Sequence, residues 1–215
     1  MLIFKRICSG VASGVLIGIG GTVYLATGKN WLGAVMFSVA LLCICYKGFS
    51  LFTGKVGYLA HSRTKSELSV LFCGLLGNFI GAAAAGLATF LCFGAQMENA
   101  AGTAAAKLEQ APYETLFRAF MCGILMYMAV SIFKNKKSPL GIIFCIPTFI
   151  LCGFEHSIAD IFYLTAGMES RAPYFAKALL FILLAIVGNA LGAVFIALFD
   201  KTNEPAGAEK KDEKE

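Results

Sequence analysis

The sequence predicts an all-α membrane protein with six transmembrane helices, arranged as two inverted three-helix repeats whose second and fifth helices are broken. Three observations predict this fold class: an apolar composition, six hydrophobic stretches and a short motif that occurs twice. Of the 215 residues, 58% are hydrophobic and 14% are charged, and the mean hydropathy is +0.75. A soluble domain of this size could not bury so much apolar surface, so the chain is predicted to be integral to a membrane.

Six hydrophobic stretches approach or exceed the roughly 20 helical residues that cross a bilayer. They cover Ile7–Ala26, Trp31–Ala60, Leu68–Phe93, Leu116–Phe133, Leu140–Leu164 and Phe175–Phe199. The second and fifth are longer and contain polar residues, which indicates discontinuous helices. Residues 1–199 therefore form the predicted transmembrane domain, with a first repeat at about 1–93 and a second at about 114–199. The charged segment 200–215 is predicted to be a disordered cytoplasmic tail.

Basic residues are unevenly shared between alternate loops. One set of loops holds Lys5, Arg6, Arg63, Lys65, Lys134, Lys136, Lys137 and Lys201, and the other holds Lys29, Lys107, Arg171 and Lys177. Because loops rich in Lys and Arg stay in the cytoplasm, we predict a multi-pass protein of the cell inner (plasma) membrane with both termini cytoplasmic. The first apolar stretch exceeds the roughly 7–15 residues of a signal-peptide core, so we expect it to be retained as a span.

The chain contains an internal repeat. Gly77-Asn78-Phe79-Ile80-Gly81-Ala82 recurs as Gly188-Asn189-Ala190-Leu191-Gly192-Ala193, so position 77 maps to position 188, an offset of 111 residues. In the interrupted stretches, Thr53 of Leu51-Phe52-Thr53-Gly54 is matched to His156 of Gly153-Phe154-Glu155-His156, an offset of 103 residues. Three spans per half give the halves opposite orientations. Inverted repeats with matched breaks indicate a transport site near the bilayer midplane.

The segment from Gly153 to Asp160 places two carboxylates and an imidazole inside the fifth stretch. Ionisable groups at membrane depth pair with each other or line a water-filled path. An imidazole such as His156 can exchange a proton with a small anion near neutral pH, and an apolar pore favours the neutral acid. The Thr53 hydroxyl can donate to an anion and accept from a histidine. A buried structural His156 held by Thr53 or Glu155, and a local backbone role for Thr53, are the alternatives.

Four further polar residues are given supporting roles. Glu155 is predicted to face away from the pore and to fix the broken backbone, because a carboxylate in an anion path would repel the cargo. Lys107 is predicted to lie just outside the fourth span and to attract anions, with a solvated loop lysine as the alternative. Asn78 and Asn189 are each predicted to cap the broken backbone of the opposite half.

These motifs resemble the formate/nitrite transporter family over nearly the whole chain, the charged tail excepted. Gly153-Phe154-Glu155-His156-Ser157-Ile158-Ala159-Asp160 is similar to the family's G-F-E-H-S-x-A-N, and Leu51-Phe52-Thr53-Gly54 matches its loop threonine motif. Ala106-Lys107, followed by Arg118 and Cys122, fits the approach to the fourth span. The resemblance implies an aquaporin-like fold, a pore within each protomer and a homo-oligomer of five protomers.

The same resemblance implies two apolar constrictions, with Phe37, Leu41 and Phe149 on one side of the break and Leu51 and Phe52 on the other. Such collars exclude hydrated ions; without the resemblance, each of these residues is an ordinary packing residue. The chain departs from the family pattern at Asp160 and Gly123, where asparagines are expected. The segment Gly123-Ile124-Leu125-Met126-Tyr127 is more similar to the hydrosulfide-conducting branch.

The sequence thus predicts a channel or transporter for small monovalent anions of weak acids, namely formate, nitrite or hydrosulfide, with protonation at His156. Its partners are the small anion, protons, the lipid bilayer and further copies of the chain, with no nucleic acid. The alternative is a water or small neutral solute channel of aquaporin-like fold, although the N-P-A repeats of water channels are absent.

Enzyme and cofactor functions are disfavoured. A membrane hydrolase would need a nucleophile, but no G-x-S-G motif occurs and Ser157 is the serine nearest to His156. A haem subunit would need paired histidines inside the bundle, whereas His61 lies in a basic loop. The eight cysteines form no C-x-x-C pair, so neither zinc, an iron–sulfur cluster nor any other cofactor is predicted.

Overall fold

In the computed structural model, which describes residues 1–168 and 173–203, the chain is almost entirely helical and those residues include no strand. The helices are α1 (Leu2–Ala26), α2 (Trp31–Lys47), α3 (Phe52–Lys55), α4 (Lys65–Cys92), α5 (Gly94–Leu108), α6 (Pro112–Lys136), α7 (Leu140–Leu151), α8 (Ser157–Ala166) and α9 (Pro173–Ala197), with short 3₁₀ helices at Val56–Ala60 and Lys201–Asn203. Four of them, α1, α4, α6 and α9, are each long and apolar enough to span a membrane. The predicted all-α membrane fold is confirmed.

Both predicted helix breaks are present. Helix α2 and the segment Phe52–Ala60 meet at 58° and together qualify as one further span. Helices α7 and α8, at 12 and 10 residues, are too short to span separately and are divided by residues 152–156. Gly48 and Gly153 have φ values of +69° and +65° at the start of the two breaks, a left-handed conformation that glycine adopts without strain.

Helix α5 is an element that the hydropathy pattern does not predict. Its sequence, Gly94-Ala95-Gln96-Met97-Glu98-Asn99-Ala100-Ala101-Gly102-Thr103-Ala104-Ala105-Ala106-Lys107-Leu108, mixes small and polar residues and lacks a long apolar run. Alanine is the strongest helix former, so composition favours a helix here even without a membrane signal. The helix brings Lys107 over the α7–α8 break. We refer to this end of the bundle as the α5 side, and to the opposite end, where the chain begins, as the terminal side.

The two halves are built on equivalent helix pairs, α1 with α4 and α6 with α9. A Cβ atom added to Gly14 would lie 2.7 Å from the Ala82 nitrogen, and one added to Gly123 would lie 2.9 Å from the Ala193 nitrogen. Small residues allow such close backbone approach in membrane bundles. The glycine at position 123, one of the two departures from the family pattern, thus lies in the contact between α6 and α9.

Asn78 holds the break of the first half. Its side-chain oxygen accepts a hydrogen bond from the Phe52 nitrogen (2.8 Å), and its amide group donates to the carbonyl oxygens of Ser50 (2.7 Å) and Gly10 (2.9 Å). The side chain is completely buried. One amide therefore satisfies the two backbone groups of the break, the Phe52 N–H and the Ser50 carbonyl, and ties them to the interior of α1.

Asn189 does the same in the second half. Its oxygen accepts from the Ser157 nitrogen (2.9 Å), and its amide donates to the carbonyl oxygens of Glu155 (2.8 Å) and Ala119 (2.8 Å). The prediction that these asparagines cap the backbone of the opposite half is wrong. Each caps its own half, because the helix that carries it lies directly against the break of the same three-helix unit.

These contacts correct the register of the repeat across the breaks. Gly48 corresponds to Gly153, which is an offset of 105 residues and not 103. The backbone bond from Phe49 to Ile44 (3.0 Å) recurs as the bond from Phe154 to Phe149 (2.9 Å), again 105 residues later. The counterpart of His156 is therefore Leu51, and Thr53 corresponds to Ile158.

The first residues of the predicted tail have defined positions. The Asp200 carboxylate accepts hydrogen bonds from Tyr127 (2.9 Å), Ser131 (2.7 Å) and Thr202 (2.5 Å). Desolvation acts to raise the pKa of Asp200, but the hydrogen bonds from these three side chains outweigh it and hold the pKa below its ordinary value. Residues 204–215, the greater part of the predicted disordered tail, lie outside the described residues, as does Arg171.

Replacing either Asn78 or Asn189 should destabilise the bundle. Asn78→Ala and Asn189→Ala each leave two buried backbone groups of a break without a partner. At about 1–3 kcal/mol per buried unsatisfied group, each substitution should lower the free energy of unfolding by roughly 2 kcal/mol or more. The test is thermal unfolding of the detergent-solubilised protein, in which size-exclusion chromatography measures the fraction that stays folded after heating.

Asn99→Ala provides the matched control. Its amide is only partly buried and makes a single bond, to the Leu25 carbonyl oxygen at 3.2 Å. We expect a much smaller loss of stability. Equal losses in all three variants would show that the two breaks do not depend on their asparagines.

Candidate functional site

Thr53 and His156 meet at the centre of the fold. The Thr53 hydroxyl oxygen lies 2.8 Å from Nε2 of His156, and both side chains are buried, with exposed fractions of 0% and 2%. Thr53 lies in the first turn of α3, whereas His156 is the N-cap residue of α8. The two helix breaks thus bring together residues from opposite halves of the chain, as the sequence analysis expected for these two residues.

The hydrogen bonds of His156 fix its tautomer. Nδ1 accepts from the Ala159 backbone nitrogen at 3.2 Å, which caps α8. A ring nitrogen that accepts a hydrogen bond carries no hydrogen, so the hydrogen of the neutral imidazole is on Nε2. Nε2–H therefore donates to the Thr53 hydroxyl, and the ring presents a donor at the centre of the bundle.

A cavity of about 240 Å³ leads from the α5 side to His156. Lys29 and Arg118 line it together with Gly102 and Gln110, from loops and helices of the α5 side. Thr53 is not among the lining residues, so the cavity ends at the imidazole.

Two phenylalanines line the cavity beside His156. The rings of Phe37 and Phe149 have centroids 6.1 Å apart and are nearly perpendicular, and the Phe149 ring stacks on the imidazole at 5.6 Å. Aromatic pairs favour such edge-to-face and offset geometries. Both side chains are buried. The arrangement is an apolar collar directly beside the buried Nε2–H donor.

The other predicted collar residues are also buried. Leu41 is 1% exposed, and Leu51 and Phe52 are 2% and 5% exposed. None of the three lines the cavity. Leu51 and Phe52 lie at the α2–α3 break next to Thr53, so apolar side chains continue on the far side of the Thr53–His156 pair.

Lys107 is held by two carboxylates at the cavity. Its ammonium group forms ion pairs with Glu155 and, at 2.8 Å, with Asp160, and Gln110 donates to the other Glu155 oxygen at 2.6 Å. The Lys107 side chain is 12% exposed and both carboxylates are 2% exposed. The alternative of a solvated loop lysine and the prediction that Glu155 faces away from the path are both wrong. The reason is α5, which folds over the break and inserts the lysine between the two acids. The attraction of anions by Lys107 stays a prediction.

Several cavity residues were given no role at the site by the sequence analysis. Gln110 binds Glu155, Arg118 lies 3.5 Å from the Gly153 carbonyl oxygen, and the Lys107 nitrogen lies 5.6 Å from the Tyr163 ring centroid. Tyr163 follows Asp160 by three residues, so the helical period alone places it on the same face of α8. Tyr24 comes from α1 and has no comparable signal, because only the tertiary fold brings it here.

The terminal side carries different side chains at the equivalent positions. With the offset of 105, Glu155 and Asp160 correspond to Ser50 and Lys55. The Lys55 ammonium donates to the Ser50 hydroxyl at 3.0 Å. Over the described ranges 1–168 and 173–203, ion pairs with a carboxylate occur at Lys107 and not at Lys55. In the same ranges, no three His, Cys, Asp or Glu side chains come together as a metal site.

Comparisons with known proteins show which family this chain is similar to. The sequence profile described as formate/nitrite transporter matches residues 1–200. A formate-nitrite transporter of Plasmodium ovale is 26% identical, covering 96% of this chain and 82% of the relative. The formate channel FocA of Haemophilus influenzae is 25% identical, covering 77% of this chain and 67% of the relative.

Two solved structures share the fold. An FNT family ion channel superposes with a TM-score of 0.81 and 22% identity, over 91% of this chain and 88% of that one. A pentameric formate channel with formate bound superposes with a TM-score of 0.76 and 22% identity, over 92% and 96% of the two chains. At this identity the structures show the fold alone. The family profile spans nearly the whole chain, and the chain therefore belongs to the formate/nitrite transporter family of membrane transport proteins.

Proposed function

We propose that this chain conducts small monovalent anions of weak acids, namely formate, nitrite or hydrosulfide, and that the cargo exchanges a proton at His156. The observation that carries this proposal is the buried Nε2–H of His156, paired with the Thr53 hydroxyl at the end of the cavity. Two relatives are named for formate or nitrite transport, which supports the same class of cargo.

The collar explains why a proton is needed. An anion leaving water for the space between Phe37 and Phe149 loses hydration that aromatic rings do not replace. A neutral acid loses far less. Nε2–H can release the Thr53 hydroxyl and donate instead to the arriving anion, in a charge-assisted hydrogen bond. Transfer of the proton to the anion then lets the cargo pass as a neutral molecule.

The ring needs a second proton to complete this step. Neutral His156 has one N–H, on Nε2, and losing it alone would leave an imidazolate. If a proton enters with the cargo, the ring can pass through the imidazolium form while Nδ1 gives up its bond to Ala159. The N–H bond on Nε2 then breaks as the bond from hydrogen to the cargo forms, and the ring is neutral with its hydrogen on Nδ1. The starting tautomer returns when Nε2 takes up a proton from water and Nδ1 releases its own.

Charged groups along the cavity favour an anion over a neutral solute. Lys29 and Arg118 line the cavity, whereas the charge of Lys107 is offset by Glu155 and Asp160. Focused positive charge raises the local concentration of anions. A channel for water or neutral solutes would gain nothing from these side chains, so the weak-acid anion is the better supported cargo.

We also propose a homopentamer in the cell inner (plasma) membrane, with both termini in the cytoplasm and a separate path in each protomer. The excess of basic residues on the terminal side supports this orientation. The pentameric formate channel that shares this fold supports an assembly of five protomers. Within one protomer, many apolar side chains are exposed, among them Phe72 and Leu76 of α4 and Leu183 of α9, and lipid or neighbouring protomers would cover them.

His156→Asn should reduce weak-acid flux and flatten its pH dependence. Asparagine can still cap α8 but cannot titrate. In the wild type, formate flux in proteoliposomes should rise as pH falls from about 8 to about 5, because one proton must enter with each anion. In the variant, maximal flux should fall and change little over that range. Unchanged maximal flux and pH dependence in a folded variant would leave His156 as a structural partner of Thr53.

His61→Asn is the matched control, since the chain has two histidines. His61 lies on the terminal side, with Nε2 at 3.5 Å from the Tyr127 hydroxyl. We expect wild-type flux and wild-type pH dependence in this variant. Parallel changes in both variants would indicate a general effect of histidine removal.

Phe149→Ala should weaken selectivity at the collar. Removal of this ring opens space beside Phe37 and lets partly hydrated ions enter, so chloride flux should rise relative to formate flux, by about tenfold if the lost exclusion is near 1.4 kcal/mol. Paired flux measurements test this. Phe144→Ala, at a position that is 68% exposed on the same helix, is the control. An unchanged flux ratio in Phe149→Ala would contradict the collar.

The assembly is tested by native mass spectrometry of protein released from mild detergent. We expect a species with five times the mass of the 22.9 kDa chain. Because the proposed path lies within each protomer, mixing wild-type and inactive subunits should reduce flux in proportion to the inactive fraction. A monomer or dimer as the sole species would contradict the pentamer.

A further inference from the structure

The ion cluster at Lys107 has more acids than bases. Lys107 faces both Glu155 and Asp160 within ion-pair distance. Asp160 uses Oδ1 for this contact, and its Oδ2 is buried with no hydrogen-bond partner among the described residues. A buried carboxylate oxygen without a donor is unfavourable unless the group carries a proton or gains a partner. Oδ2 of Asp160 is therefore the atom of this cluster that lacks a hydrogen-bond donor.

The cluster lies where the proposed cargo enters. Glu155, Asp160 and Lys107 line the same cavity as His156. If both acids are ionised, the cluster has a net charge of −1 and repels an arriving anion. If the two acids share one proton, the net charge is zero and the Lys107 ammonium is available to the anion. Two carboxylates beside one ammonium favour the shared proton, because like charges in a buried site oppose each other.

Other ionisable groups face Asp160 from the elements packed around it. His156 and Tyr163 lie on α8 or at its N-cap, Glu155 in the break, and Lys107 on α5. The remaining ones are Arg118 and Cys122 on α6 and Tyr24 on α1. Among these groups, Lys107 is the base in direct contact, and the acid next to it is Glu155.

We propose that Asp160 is a specificity-determining residue that links anion entry to proton uptake: both acids are ionised in the empty site, and Asp160 and Glu155 take up one shared proton beside Lys107 when an anion enters. The proton comes from water at the cavity mouth and forms an O–H bond on a carboxylate. No bond to the cargo forms in this step, and no electron is transferred. The inference rests on the proposed function, which requires that a proton enter with the cargo.

The identity of residue 160 decides the effect. An asparagine there would leave Lys107 paired with Glu155 alone, a neutral cluster that needs no proton to admit an anion. With aspartate, an anion that arrives without a proton meets a net negative charge. Binding of the anion must then favour binding of the proton, and the proton must favour the anion to the same extent, because linkage is reciprocal.

Infrared spectroscopy tests the shared proton without any transport assay. Adding formate to the purified wild-type protein at neutral pH should produce a positive difference band in the C=O stretching region of protonated carboxyl groups. The band should disappear in Asp160→Asn and in Glu155→Gln, since each leaves one carboxylate for one ammonium. It should persist in Glu109→Gln, which removes an exposed acid on the same side that does not line the cavity.

Transport gives the second readout. With equal pH on both sides of proteoliposomes, the half-saturating formate concentration of the wild type should rise about tenfold per pH unit above the titration range of the pair, the slope for one proton per anion. In Asp160→Asn and Glu155→Gln it should be lower and independent of pH. Glu109→Gln should retain the wild-type slope. A merely structural role of Asp160 would raise the half-saturating concentration without removing its dependence on pH.

The outcomes separate this inference from the proposed function. No formate-induced carboxyl band in the wild type, or a wild-type band and slope retained in Asp160→Asn, overturns the inference, while wild-type formate flux would still support the proposed function. A wild-type band that disappears in Asp160→Asn, together with no formate flux above that of empty vesicles, supports the shared proton and overturns the proposed function. If Asp160→Asn fails to fold, the wild-type spectrum and Glu155→Gln decide the question.

Discussion

The transport path depends on two buried amides. Ending a helix inside an apolar bundle exposes backbone donors and acceptors that lipid cannot satisfy, so a broken helix is tolerated only where something else bonds those groups. Asn78 and Asn189 each supply one acceptor and two donor contacts to a break and to the neighbouring helix. With both breaks held, Thr53 and His156 can face each other at the centre of the bundle. The histidine, the collar and the ion cluster all take their positions from the backbone that these amides fix.

Much of this could be predicted from the sequence, because the relevant signals are local or repeated. Apolar stretches of membrane length, the duplicated G-N-x-x-G-A motif and the polar segment Gly153–Asp160 together predict an inverted repeat with two breaks. Since both breaks lie at the middle of their halves, the meeting of Thr53 and His156 follows from the topology. The Asn78 and Asn189 side chains were correctly assigned to broken backbone, although to the wrong half.

The remaining features depend on contacts that no local pattern encodes. Helix α5 is rich in alanine and weakly apolar, so hydropathy does not detect it, and without α5 nothing indicates that Lys107 reaches Glu155 and Asp160. The register of the repeat was misjudged by two residues because matching the two polar residues, Thr53 and His156, is plausible on chemistry alone. Backbone geometry shows otherwise, since glycines with positive φ at positions 48 and 153 mark the equivalent points. Equivalent positions of the two halves are therefore defined by the backbone, and the side chains at those positions can differ in chemistry.

The side-chain chemistry of the two copies differs most just after Gly48 and Gly153. The second copy places Glu155 and Asp160 around a lysine from α5, whereas the first copy has Ser50 and Lys55 in hydrogen-bond contact. The duplicated scaffold is symmetric, but the side chains at its two breaks are electrically unlike. Such asymmetry performs no work, so a passive path built this way still brings its cargo to the same equilibrium from either side. The asymmetry changes the occupancy of the path. Cargo would saturate the path at different concentrations on the two faces of the membrane, so flux would respond to cargo over a different concentration range on each face.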